Sequence, residues 1–185
     1  QTISPVQHYL EGLDESELDI STMFEIYFGV VPENNEHQAF IRAASSLFLK
    51  QAVARAVNPG CKADTVIVLE GKQGIGKSTG LRALFSTEWF KDSMPPMGSK
   101  DASDYIVGAW CIELAEMAFQ GKAKIEQQKA FISRQEEKYR PAYKRNENIY
   151  LRRCVFIATT NRDDWALDET GNRRFLPVKT TKIDV

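Results

Sequence analysis

The 185-residue sequence has few of the residues that would mark it as a secreted or metal-stapled protein. It carries only three cysteines, Cys61, Cys111 and Cys154, far apart and in no C-x-x-C pair, so no disulfide framework is indicated and reduced thiols are expected. Its two histidines, His8 and His37, are well separated, which leaves almost nothing for a zinc site. No apolar run approaches the roughly 20 residues a membrane helix requires, and no opening stretch reads as a signal peptide, so a cytoplasmic protein without membrane contact is expected. Neither sign of charge dominates: 24 Lys and Arg face 25 Asp and Glu, a net charge of −1. A chain that opens on Gln1 rather than Met reads as a piece of something longer.

The patterning divides the chain in two. Residues 1–60 read as a helical region: Ser4-Pro5 opens a short amphipathic stretch, Ile20 to Phe28 is a second, and Asn34-Asn35 cap a longer helix. That helix has Phe40, Ala43, Ala44, Leu47, Phe48 and Ala52 at roughly helical spacing, and Pro59-Gly60 ends it. Residues 61–185 read differently. Thr65–Leu69, Ala109–Ile112 and Cys154–Ala158 are short, wholly apolar runs, as parallel strands covered on both faces should be. Helical stretches at Lys77–Phe85, Ser99–Val107 and Lys122–Ser133 lie between them, which predicts an α/β domain with a mainly parallel sheet.

The strongest motif follows the first apolar run. Gly71-Lys72-Gln73-Gly74-Ile75-Gly76-Lys77-Ser78 matches G-x-x-x-x-G-K-[ST], with a strand before it and a helix after it. Glycines let backbone N–H groups converge on phosphate oxygens, and the helix that follows directs its positive end at the same anion. This reading predicts ATP with Mg²⁺, cradled by Gly71, Gln73, Gly74, Ile75, Gly76, Lys77, Ser78 and Thr79, with Lys77 on the β- and γ-phosphates and Ser78 a metal ligand.

Hydrolysis needs more. The strand around Cys111-Ile112 runs into Glu113-Leu114-Ala115-Glu116, and acids at a strand's carboxyl end sit where α/β folds bind ligands. Glu116 is read as the water-orienting base and Glu113 as the metal-side acid; two solvated acids are the alternative. The next apolar strand ends in Thr159-Thr160-Asn161, whose amide can donate to a γ-phosphate or hold water. Arg173 and Arg174 are either arginine fingers or partners of Asp168 and Glu169 in a surface ion pair. From Arg134 to Arg153 seven basic residues face three acids, with Tyr139, Tyr143 and Tyr150 interleaved and Pro141 breaking any helix. That composition suits single-stranded nucleic acid, with Arg140, Lys144 and Arg145 as contacts, or an exposed solvated loop.

Together these motifs resemble the virulence-associated E family of phage and mobile-element proteins, P-loop ATPases related to superfamily III helicases and to the primase–helicases of large DNA viruses. The likeness rests on Pro59-Gly60-Cys61-Lys62, Leu69–Thr79, Lys100-Asp101, Ile112–Glu116, Ser133-Arg134, Tyr139-Arg140-Pro141, Thr159-Thr160-Asn161 and Thr170–Phe175, in order over roughly residues 55–180. It implies an AAA+-like ATPase assembling as a hexameric ring, with Glu113 and Glu116 as the Walker B acids and Asn161 as sensor. It also implies that Arg173 or Arg174 reaches a neighbour's γ-phosphate and that Arg134–Arg153 stands in the place of a DNA-contacting loop. Adjacent acids are usual in that motif, whereas Leu114 and Ala115 separate them here. The expectation is a DNA helicase or translocase domain for phage or mobile-element replication. The alternatives are a nucleotide-regulated nucleic-acid-binding or assembly switch, and a small-molecule phosphotransferase.

Overall fold

A computed structural model describes residues 4–115, 122–139, 148–162 and 172–183. The Ser4 hydroxyl caps α1 (Pro5–Glu11) by accepting from the Gln7 amide, as the Ser-Pro pair predicts. A 3-10 turn at Ile20–Thr22 leads into α2 (Met23–Tyr27), and Asn34 caps α3 (Asn35–Val57) by accepting from His37 N at 2.9 Å. Replacing Asn34 with Ala should cost about 1 kcal/mol, read as a lowered denaturant midpoint at unchanged slope.

The buried stripe of α3 is Ile41, Ala44, Ser45, Phe48, Ala52, Arg55 and Ala56, a 3–4 spacing. Phe40 and Leu47, placed in that stripe from sequence, are exposed instead, because the face in contact is centred one residue further along.

After α3 the chain builds a sheet. Its strands are β1 (Val66–Glu70), β2 (Phe90–Lys91), β3 (Cys111–Leu114), β6 (Val155–Thr160) and β7 (Phe175–Lys179), and all pairings are parallel in the order β2-β3-β6-β1-β7. Between them lie α4 (Lys77–Trp89), α5 (Lys100–Tyr105) and α6 (Lys122–Ile132). Strands and helices fall where the apolar runs place them, with edges moved by a few residues. The helix read as Lys77–Phe85 runs on to Trp89, with a kink at Ser86, which takes φ 63°.

Alternate residues explain why the strands are apolar throughout. Ile67, Leu69, Val155, Ile157 and Val178 face a core shared with Phe24, Phe28, Phe48, Leu81 and Phe85, so the N-terminal helices pack directly on the sheet. Val66, Val68, Ile112, Phe156 and Phe175 face the other side, against Ala102, Ile106, Phe131 and Ile132 of α5 and α6. Burying both faces holds the strand ends, and whatever projects from them, in fixed register.

The basic segment forms an antiparallel ribbon of β4 (Glu136–Tyr139) and β5 (Asn148–Leu151). Of the seven basic residues counted there, those at its root are paired within the protein. Arg152 is 2% exposed and donates from Nε to Glu137 Oε1 at 2.7 Å, and Glu137 is itself buried. Arg134 also pairs with Glu137, at 3.3 Å, and Arg153 donates to the Ala56 carbonyl at 3.1 Å. Ser103 of α5 donates to Glu137 Oε2 at 2.6 Å, and the buried Arg55 of α3 donates to the carbonyls of Arg152 and Arg134. Arg140, Lys144 and Arg145 lie outside the described residues.

Candidate functional site

The loop from Gly71 to Ser78 leaves the carboxyl end of β1 and turns directly into α4, whose N-cap is Gly76. Gly76 takes φ 94°, a conformation that a side chain strains. Gly71 is required for a different reason: a Cβ there would stand 2.6 Å from Ile75 Cδ1 and 2.9 Å from the Thr180 carbonyl. The segment after β7 braces the loop from outside, with Thr180 N donating to Glu70 O at 2.7 Å and Ile183 N to Ile75 O at 3.1 Å.

The loop borders a cavity of about 340 Å³ lined by Gln73, Gly74, Ile75, Gly76, Lys77, Ser78, Thr79, Glu113, Ala115, Thr159, Thr160 and Asn161. All the residues expected to cradle the nucleotide, except Gly71 at the loop's entry, line it. Glu113 from β3 and Asn161 at the end of β6 meet them there because parallel strands bring their carboxyl ends to one edge. Glu116 lies outside the described residues.

Lys77 Nζ donates to the carbonyls of Gly71 and Lys72, at 2.7 and 2.9 Å. Burial holds its pKa below the ordinary lysine value, against the opposing pull of the Glu113 carboxylate. Two neutral carbonyls are modest partners for a half-buried ammonium, and an anion in the cavity would be a stronger one.

Glu113 is 1% exposed. Its Oε1 accepts from Ser78 Oγ at 2.7 Å and from Thr159 Oγ1 at 2.6 Å, while its Oε2 is buried without a hydrogen-bond partner. An orphaned buried carboxylate oxygen beside a serine hydroxyl fits Mg²⁺, which takes one or two protein oxygens and completes its shell with water and phosphate. No cluster of three or more His, Cys, Asp or Glu occurs among the described residues, so nothing there resembles an all-protein metal cage.

The two arginines are elsewhere. Arg173 and Arg174 end a 3-10 turn that opens β7, at the amino edge of the sheet. Arg174 pairs with Asp64, Nε to Oδ2 at 3.4 Å, and Arg173 is exposed; Asp168 and Glu169, the acids considered from sequence, lie outside the described residues. Since Val66 pairs with Phe175 and Glu70 with Lys179, the length of β1, about 13 Å, separates these arginines from their own glycine-rich loop.

Sequence reasoning missed Thr159, whose hydroxyl holds Glu113, and Asp64, which holds Arg174. Thr159 stands in the Thr159-Thr160-Asn161 motif, but only Asn161 takes a role there from sequence, and an acid in a loop carries no motif.

A parallel sheet in this order, with a glycine-rich loop passing from β1 into a helix, defines a P-loop NTPase-like fold. The virulence-associated protein E-like domain family matches residues 10–185, and the chain belongs to it. Two solved apo forms of the NrS-1 C-terminal region (305–718) share the fold, each with a TM-score of 0.58 and 16% identity over 92% of this chain. This chain spans 39% and 40% of those two. The JCV helicase bound to a small molecule superposes at a TM-score of 0.46 and 11% identity, over 88% of this chain and 44% of that one. Among proteins with curated descriptions, none matches the sequence. No helix among the described residues is long and apolar enough to cross a membrane.

Proposed function

We propose that this chain binds ATP with Mg²⁺ at Gly71–Ser78 and hydrolyses it as the motor of a DNA helicase or translocase serving a phage or mobile element. The observation that carries the reading is the junction of Ser78 and Glu113 across the cavity, which leaves one buried carboxylate oxygen open. Backbone amides of the loop and Lys77 would bind the phosphates, and Ser78 with Glu113 would hold the cation. Bound there, Mg²⁺ supplies neutralising charge to the β- and γ-phosphate oxygens. Glu116 would orient the attacking water and Asn161 would donate to the γ-phosphate.

Arg173 and Arg174 support assembly as a ring, the hexamer that the family resemblance implies. Placed at the sheet's far edge from their own loop, they are of use to a phosphate only on a neighbouring copy. Arg140, Lys144 and Arg145, which fall between β4 and β5 in the sequence, would carry the single-stranded DNA contact.

ATP turnover measured with and without single-stranded DNA tests this. Turnover should require Mg²⁺ and rise with DNA. Glu116→Gln should lower it by about 10²–10⁴ while ATP still binds. Arg173→Ala or Arg174→Ala should lower it by about 10³, and only at concentrations where chains assemble. Tight ATP binding with turnover indifferent to Glu116→Gln would leave an assembly switch in place of a motor.

A further inference from the structure

Glu113 is held by two hydroxyls that come from different kinds of structure. Ser78 sits on the glycine-rich loop, whereas Thr159 belongs to β6, a strand paired on both sides and buried on both faces. Thr159 is 5% exposed, so water is no substitute partner for its hydroxyl. The neighbouring Thr160 shows a different use of the same residue type: its Oγ1 accepts from Arg162 N and closes the turn after the strand. Nothing in the strand itself asks for a hydroxyl at 159, where valine would serve the sheet as well and bury no polar atom.

We propose that Thr159 is a positioning residue for the cation: its hydroxyl fixes the Glu113 carboxylate by Oε1, leaving Oε2 turned to the place where Mg²⁺ is taken up. This inference rests on the nucleotide reading above. A carboxylate on a flexible side chain has several rotamers, and holding one of them in advance removes an ordering cost from metal binding. Ser78 is a poor anchor because the proposed site recruits its oxygen to the metal; Thr159 has no such second duty and is carried by the sheet. Thr159 also lies two residues before Asn161, which directly follows the end of β6, so the hydroxyl that holds the acid and the amide both stand at the carboxyl end of this strand.

The test is Mg²⁺-dependent binding of a fluorescent ATP analogue to the full chain, titrated from excess chelator upward, with thermal melts alongside. Thr159→Val keeps the shape and removes the donor. It should raise the Mg²⁺ midpoint by about 10–100-fold, the usual effect of losing an outer partner of a metal ligand, with metal-free nucleotide binding and melting unchanged. Thr159→Ser should restore the wild-type midpoint. An unmoved midpoint in Thr159→Val overturns the proposal. So does equal weakening with and without Mg²⁺, or a Thr159→Ser chain that melts normally yet stays shifted. A wild-type chain that binds no nucleotide at any Mg²⁺ level is a different result and overturns the nucleotide reading itself.

Discussion

Lys77→Ala should lose nucleotide affinity by about 100-fold, measured by equilibrium binding with Mg²⁺ present, while the protein melts as before. The magnitude follows from what the ammonium does. It now donates to two backbone carbonyls, an arrangement that water or a shifted loop can replace when the side chain is cut back. With a triphosphate bound it would be the charge the loop brings to the cavity, since Lys72 is not among the lining residues, and a charged hydrogen bond in a half-buried site is worth about 1.5–3 kcal/mol. Gly76 and Gly71 keep their conformations in the variant, so the amide cradle survives and the loss reports the charge alone. Affinity within a few fold of wild type would remove Lys77 from the phosphate site.

The largest stability effect is expected at Glu137. Its carboxylate takes Arg152 through Nε and Nη2, Arg134 through Nη1 and Ser103 through its hydroxyl, and it is 3% exposed. Arg152 also lies over the rings of Phe131 and Phe156, at 4.4 and 5.4 Å. Burial pulls the Arg152 pKa below the ordinary arginine value, and Glu137 opposes it. Glu137→Ala leaves that guanidinium buried without a counter-charge, with Arg55 also buried nearby. The cost should be about 3–5 kcal/mol, seen as a fall in Tm of roughly 10 °C. Glu137→Leu combined with Arg152→Met should lose far less, since both charges leave together. A Glu137→Ala chain that melts like wild type would mean that water reaches Arg152.

The sheet was legible in the sequence because its strands are covered on both faces. Val66–Leu69 and Val155–Ala158 admit no polar residue, and few other structures demand that of so short a run. The loop was legible because each of its residue types answers a backbone or charge requirement, as Gly71 and Gly76 show. The root of the ribbon was not. Arginine reads as surface by default, and Arg55 and Arg152 are buried where the carbonyls of Ile132, Arg134 and Arg152 and the Glu137 carboxylate converge on them. Thr159 was hidden for the opposite reason, since threonine is ordinary in a strand and its partner Glu113 lies 46 positions earlier.

Strand β6 has a mechanical consequence. At one end it is continuous with Arg152, bolted through Glu137 to the ribbon; at the other it ends in Thr159 and Asn161 beside the glycine-rich loop. The strand itself, from Val155 to Thr160, is about 17 Å of extended chain, bonded to β3 and β1 along its sides. β6 is therefore a tie-rod. The strand thereby ties the buried root of the ribbon to the edge of the sheet where Asn161 stands, with Arg153 and Cys154 between Arg152 and its start.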